Sequence, residues 1–341
     1  MQIEQNFSLK NYNTFGIDVN AEKFAQFNSV YDLQALFHDS KIDKEPIFIL
    51  GGGSNILFTK NVEGFVLKNN IYGIETVHEE EKNVYVKAGA GENWNQFVLH
   101  CIERNFGGVE NLSLIPGNVG AAPMQNIGAY GVEIKDVFHS LEAYNFSEKK
   151  IMTFTLNDCE FGYRESIFKK RYKGEFAILN VTFRLSKIPH FNISYGAIEE
   201  QLQKMNVKDL TIKKISDAVI NIRTSKLPDP SVIGNAGSFF KNPEIDSAQL
   251  EKLQTIVTED VRLPCYKISE DKFKIPAGWL IEQCGWKGYR KGDAGCYDKQ
   301  ALVLVNYGNA KGDEILALSE EIKNSVFKKF SINLETEVNI L

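Results

Sequence analysis

The chain has 341 residues, of which 43% are hydrophobic and 24% charged, the composition of a soluble globular protein large enough for two or three domains and a core that needs no covalent staple. Its net charge of −5, from 39 basic and 44 acidic residues, argues against nucleic acid as a main partner. A small anionic ligand stays open, because it needs only a local cluster of cations and backbone N–H groups.

In chain order, the N-terminal stretch MQIEQNFSLKNYNTFG has no apolar core, so no signal peptide is expected. Residues 46–50 read as a short buried strand running into Gly51-Gly52-Gly53-Ser54-Asn55. Residues 83–88 alternate as a strand and end in Gly89-Ala90-Gly91, with a helix expected over 92–104. The stretch 107–131 is rich in Gly, Ala, Asn and Pro and too long for a turn; a loop of that length inside a domain is usually functional. Residues 176–186 read as a strand, and 187–208 as a boundary. Helices are expected over 209–226, 245–257, 277–285 and 312–328, and strands over 301–306 and 334–340. The alternation of elements predicts a mixed α and β protein. No apolar run approaches the ~18 residues of a membrane span.

The five cysteines, Cys101, Cys159, Cys265, Cys284 and Cys296, are odd in number and lack Cys-x-x-Cys spacing. That disfavours a disulfide framework and a zinc site and fits a reducing, cytoplasmic compartment. His38, His78, His100, His139 and His190 are scattered, and no metal is expected.

The loops 51–55, 89–91 and 117–131 each read as following a strand. Glycine lets the backbone approach a ligand closely, and successive N–H groups form an anion cradle. Each loop alone reads as an ordinary tight turn; together they point to a nucleotide. The sequence has no Gly-x-Gly-x-x-Gly with a following acid and no Gly-Lys-Ser/Thr loop, so a Rossmann domain and a P-loop are both disfavoured.

Asn13-Thr14-Phe15-Gly16, GGGSN at 51–55, IPGNVGAAPMQNIGAYG at 115–131 and CEFGYRES at 159–166 resemble the flavin-binding half of the UDP-N-acetylenolpyruvoylglucosamine reductase family. KLPDP at 226–230, GNAGSFFKNP at 234–243, AGWLIEQCGWKG at 277–288 and LETEV at 334–338 continue the resemblance, in order, over nearly the whole chain. Tyr195-Gly196 and the stretch 259–276 resemble the longer form of the family. The resemblance implies an α+β protein: an FAD-binding fold of the vanillyl-alcohol-oxidase type, made of two α+β subdomains, with an additional α+β substrate-binding domain. It implies boundaries at 1–65, 66–208 and 209–330, with 331–341 as a C-terminal strand. It further implies non-covalent FAD, NADPH as co-substrate, and reduction of a UDP-sugar enolpyruvyl ether to UDP-N-acetylmuramate, a peptidoglycan precursor. A monomer is assumed, with no membrane partner.

Hydride addition to an enolpyruvyl ether builds negative charge beside a carboxylate, and the charged carbon must then take a proton. The resemblance implies that Arg164 grips the carboxylate, that Ser238 gives the proton, and that Glu337 assists. Taken alone, Arg164 reads as a surface arginine, Ser238 as a turn serine, and Glu335 with Glu337 as a solvated strand face. The resemblance assigns cofactor contacts to Asn13, Thr14, Gly51, Gly52, Gly53, Ser54, Asn55, Pro116, Gly117, Gly120, Ala121, Gln125, Asn126, Gly128, Ala129, Tyr130 and Gly131. It assigns substrate contacts to Tyr195, Lys226, Asn242, Tyr266, Lys274 and Gln300. Two other readings remain: a different FAD-dependent oxidoreductase of the same flavin fold, and a nucleotide-sugar binding protein without chemistry.

Overall fold

In the computed structural model, which describes residues 2–38, 42, 45–257 and 262–341, the apolar alternation of the sequence sorts into sheets and covering helices. The chain divides into two compact units. One comprises Met1–Ser8, Asn20–Gly53 and Asn61–Ser225; the other comprises Leu9–Val19, Ser54–Lys60 and Lys226–Leu341. Residues 259–261, at the start of the 259–276 stretch, lie outside the described residues.

The first unit holds two sheets. In the smaller, Asn20–Phe27 pairs antiparallel with Glu4–Ser8 and parallel with Val62–Asn69, which pairs parallel with Ile47–Leu50 on its other side. The segment expected as a buried strand at 46–50 is thus an edge strand, and only Leu50 of Ile47–Leu50 is fully buried. The larger sheet is antiparallel, in the order Lys150–Thr155, Phe138–Asn145, Phe176–Ser186, Asn83–Gly89, Ile74–Glu79. Phe176–Ser186 matches the expected strand and runs through its centre, which explains its nearly continuous burial.

Both faces of that central strand are apolar. Ile178, Val181, Phe183 and Leu185 join Trp94, Phe97 and Cys101 of the helix Trp94–Glu103 in one core. Asn93 caps this helix by accepting from Gln96 N at 3.0 Å. Ala177 and Leu179 join a second core, with Phe65 and Leu67 of the smaller sheet and Leu33 and Phe37 of the helix Val30–His38. The region expected as a boundary, 187–208, contains a further helix, Gly196–Lys204. Its Ile198 and Leu202 pack on Ile215, Val219 and Ile222 of the helix Ile212–Lys226.

The second unit has a four-stranded antiparallel sheet, Gly234–Ser238, Val303–Asn306, Ala294–Cys296, Arg290–Lys291. The helix Gly312–Phe330 contacts its strands, and the helix Ala277–Gln283 contacts that helix. Val303, Val305, Leu280, Ile281, Ile315 and Ile322 are all fully buried. A small sheet of Glu244–Asp246, Lys272–Lys274 and Tyr266–Ser269 adjoins the helix Ser247–Ile256. The strand expected over 334–340 is corrected: it is a single bridge, Thr336 to Phe240, followed by the two-residue strand Asn339–Ile340 parallel to Ile56–Leu57. No helix among the described residues is long and apolar enough to cross a membrane.

Candidate active site

Glycine loops distant in sequence meet in the first unit. Trp94 N donates to Gly117 O at 3.0 Å, Val119 N to Glu92 O at 2.8 Å and Gly120 N to Ala90 O at 3.0 Å. Asn118 Nδ2 donates to Gly91 O at 2.6 Å. Gly52 closes on the same place: a Cβ there would lie 2.6 Å from Asn118 Oδ1 and 2.9 Å from Gly117 Cα. A Cβ on Gly51 would meet Ala121 and Asn118 only at 3.9 Å. The predicted cofactor residues Gly51, Gly52, Gly53, Pro116, Gly117, Gly120 and Ala121 therefore lie on loops that converge, with main chain and short side chains between them. That surface fits the phosphates of a dinucleotide, which backbone N–H groups bind best where no long side chain blocks their approach.

The same long loop seats Arg164. After the short turn Pro123–Gln125, Asn126 is buried with a positive φ of 44°. Its Nδ2 donates to Glu133 Oε2 at 2.8 Å and Gly162 O at 3.0 Å. It thereby ties two turns together. One is the hairpin Gly128–Ala129 with Val132–Glu133, whose tip residues Tyr130 and Gly131 both have positive φ. The other is the turn between Gly162 and Glu165, in which Arg164 itself has a φ of 56°. A non-glycine residue held there is strained, and such residues gather at functional sites. Arg164 Nη2 donates to Gly128 O at 2.8 Å. A Cβ at Gly128 would lie 2.8 Å from Glu133 Cγ, 2.9 Å from Val132 O and 3.2 Å from Arg164 Nη1, so a side chain there would crowd both the hairpin and this guanidinium.

Beside this seat, the Tyr130 ring meets the Tyr195 ring edge-on, with centroids 5.4 Å apart. Asn111 Nδ2 donates to Tyr130 O at 3.0 Å and to Asn192 O at 2.9 Å, joining the hairpin tip to the segment that leads into Tyr195. Arg223 also belongs here, and the sequence reading missed it. Burial pushes its guanidinium below the ordinary value, the Tyr130 hydroxyl opposes that shift, and the charge of Arg164 adds to it. Burial also pushes the Tyr130 hydroxyl upward. Arg223 Nε donates to Leu114 O at 3.2 Å. Its spacing was the available signal: Ser216, Val219 and Arg223 recur at helical intervals, and Ser216 and Val219 are buried. Two guanidiniums within electrostatic reach of each other make a setting that favours an anion.

The second unit carries Ser238 and Glu337. Ser238 ends the strand Gly234–Ser238, opposite Val303, after a register shift in which Gly237 has a φ of 69°. Asn235 builds this bulge. Its Oδ1 accepts from Gly237 N at 2.9 Å, and its Nδ2 donates to Ile233 O and Pro228 O. The last of these bonds ties the KLPDP segment, which Lys226 opens, to the serine strand. Bulges re-aim side chains and recur beside active sites. Beyond Ser238, Phe239 and Phe240 are buried. Glu337 N donates to Phe239 O at 2.9 Å, and Lys241 N donates to Glu335 O at 2.9 Å. The structure thus brings the Ser238 and Glu337 segments together. It also separates the two glutamates: the Glu335 side chain is 74% exposed and pairs with Lys241 at 3.2 Å, whereas Glu337 is half-buried.

Asn55 joins the Glu337 segment through Nδ2, which donates to Glu337 O at 3.3 Å, while Asn339 N donates to Asn55 O at 3.1 Å. Ser54 precedes it in the same unit. Asn13 spends its side chain on its own loop, donating to Leu9 O and Ile17 O and accepting from Ile17 N. Thr14 O accepts from Asn235 N at 3.0 Å. Among the predicted substrate residues, Asn242 Oδ1 accepts from Ala277 N at 2.9 Å, and Gln300 Oε1 would lie 2.7 Å from a Cβ on Gly278. Both therefore flank the start of the helix Ala277–Gln283. Tyr266 and Lys274 are register partners, and Lys274 also pairs with Glu244 at 3.5 Å.

Comparison with known proteins gives the family and the fold. Residues 21–153 match the family described as an FAD binding domain, and residues 229–341 match the C-terminal domain of UDP-N-acetylenolpyruvoylglucosamine reductase. The reductase of that name from Flavobacterium johnsoniae is 51% identical over 100% of both chains, and that of Amoebophilus asiaticus is 48% identical, also over 100% of both. In fold, the crystal structure of the Thermus caldophilus enzyme superposes with a TM-score of 0.70 at 21% identity, covering 100% of this chain and 99% of its own. A relative this similar over its whole length leaves one assignment: the chain belongs to the UDP-N-acetylenolpyruvoylglucosamine reductase family of FAD-dependent oxidoreductases.

Proposed function

We propose that the protein uses NADPH as its electron source to reduce the enolpyruvyl ether of a UDP-N-acetylglucosamine derivative to UDP-N-acetylmuramate, in the cytoplasm and as a monomer. In this reading 1–65 and 66–208 serve the flavin, 209–330 the UDP-sugar, and 331–341 carries Glu337. FAD, when bound, supplies the hydride that reaches the terminal carbon of the substrate.

This chain's own residues do the rest. Arg164 holds the substrate carboxylate with a guanidinium fork, with Arg223 as a second cation beside it, and together they stabilise the charge that develops next to that carboxylate. The Ser238 hydroxyl gives its proton to the adjacent carbon, which completes the addition of one hydride and one proton across the double bond. A serine alkoxide is a costly product, so its charge must be balanced, and Lys226 at the head of the KLPDP segment is assigned to that task. Glu337 orients the reacting end of the substrate. Tyr195, Asn242, Tyr266, Lys274 and Gln300 bind the sugar nucleotide. The bond from Glu337 N to Phe239 O, next to the bulge that presents Ser238, is the observation that carries the reading.

The test separates the two half-reactions. NADPH should bleach the flavin under anaerobic conditions, and the enolpyruvyl sugar nucleotide should then restore the colour stoichiometrically. Bleaching without restoration would instead identify an oxidoreductase for another substrate.

A further inference from the structure

Lys68 is a cation on the strand whose neighbouring segments carry two of the glycine loops, and it has no role in the proposed reaction. It lies near the end of the strand Val62–Asn69 and pairs with Leu50, the residue immediately before Gly51. Two and three residues further on, the same chain touches the second loop: a Cβ on Gly91 would lie 2.9 Å from Asn70 Cα, and one on Gly89 would lie 2.3 Å from Ile71 O. Phe65 and Leu67 enter the core shared by the two sheets, so alternation gives Lys68 the opposite face, along with Val66 and Leu50.

The side chain is half-buried. Its hydrogen bond goes to the carbonyl of its own neighbour Asn69 at 3.5 Å, the outer limit for such a bond. Among the described residues no carboxylate forms an ion pair with it. Burial alone accordingly pushes its ammonium below the ordinary lysine value. A lysine retained in this state costs stability, and an apolar side chain would sit there more comfortably. The cost is offset if an anion arrives.

From its place on this strand, we infer that Lys68 is a phosphate ligand of the bound flavin dinucleotide, supplying a positive charge to a site otherwise built from backbone N–H groups. The inference rests on the FAD reading. It also predicts an uncommon combination of effects, because the residue that strengthens cofactor binding weakens the empty protein.

The experiment compares wild type, Lys68→Met and Lys68→Arg as full chains. FAD rebinding after cofactor removal is followed by flavin fluorescence, and the melting temperature of each FAD-free protein is recorded. Lys68→Met is expected to bind FAD about tenfold more weakly, the usual scale of one charge-assisted hydrogen bond. Its FAD-free form should melt no lower than the FAD-free wild type, and Lys68→Arg should keep most of the affinity. The deficit of Lys68→Met should also shrink at high salt. Equal FAD affinity in Lys68→Met and wild type would overturn the inference, and so would a loss of affinity matched by a lower melting temperature of the FAD-free protein. Failure of the wild type itself to bind FAD would instead overturn the flavin reading.

Discussion

Glu337 N donates to the Phe239 carbonyl at 2.9 Å, one residue beyond Ser238. This bond fixes the C-terminal segment against the bulged strand that ends in Ser238; Glu337 is half-buried there, whereas the Glu335 carboxylate is exposed and pairs with Lys241. Glu337→Gln is therefore expected to slow reoxidation of the reduced flavin by the sugar substrate by about 10²-fold or more. Glu335→Gln should stay within about twofold, because an exposed ion pair contributes little. Equal effects in rapid-mixing traces would remove Glu337 from the site.

Gly128 is where the hairpin meets Arg164. Gly128→Ala must displace Glu133 Cγ, Val132 O or the guanidinium itself. The expected outcome is a loss of about 1–3 kcal/mol in stability from overpacking. Alongside it, the KM for the sugar nucleotide should rise while flavin reduction by NADPH is spared. Substrate kinetics together with thermal melting check this. An unchanged KM would mean that Arg164 holds its position without the glycine.

Gly52 tests the flavin cradle. An added Cβ would collide with Gly117 main chain and Asn118 Oδ1, and backbone cannot give way as a flexible side chain can. Gly52→Ala protein should therefore emerge from purification with its flavin content reduced several-fold, on the order of the 1–3 kcal/mol overpacking cost. Absorbance of released flavin per chain measures it.

The cysteines should divide by burial. Cys101, Cys159 and Cys296 are fully buried, and burial pushes the Cys159 and Cys296 thiols up to about 12, with Cys101 raised in the same direction. A raised thiol has less thiolate at neutral pH and reacts slowly. A disulfide reagent should modify Cys265 and Cys284, which are only half-buried, in the native protein and reach the other three only on unfolding. Modification of all five at one rate would contradict the packing described.

Much of the fold was legible in the sequence, and the exceptions have physical causes. Phe176–Ser186 and Trp94–Glu103 came out within one or two residues of expectation, because a long apolar run and a strong helical period leave little choice. The helix Gly196–Lys204 was missed: only Ile198 and Leu202 in it are buried, and they pack on a neighbouring helix. The segment 334–340 alternates like a strand, yet its partners, 239–241 and Ile56–Leu57, are short and separate. No continuous ladder forms along it, since pairing needs a partner that local pattern does not reveal. The second unit is assembled from three stretches of chain, and reading along the sequence gives no sign of such an arrangement.

The candidate site was legible in its motifs and not in its supports. The glycine loops stood out by composition, and the Ser238 segment by its resemblance to the family. Arg223 did not, because one arginine on a helix resembles many others until the Tyr130 hydroxyl and the Arg164 charge lie beside it. Asn126 and Asn235 set the turns presenting Arg164 and Ser238 through side-chain bonds, to Glu133 and Gly162 for the first and to Pro228 and Gly237 for the second, and spacing alone does not disclose such bonds.

The most direct test of the account is Ser238→Ala in rapid mixing. Its central claim is that this hydroxyl gives the proton in the second half-reaction. Flavin reduction by NADPH should proceed at the wild-type rate, while reoxidation by the enolpyruvyl sugar nucleotide should fall by about 10²–10⁴-fold, the range for loss of a positioned acid. Equal slowing of both half-reactions, or reoxidation at the wild-type rate, would contradict it.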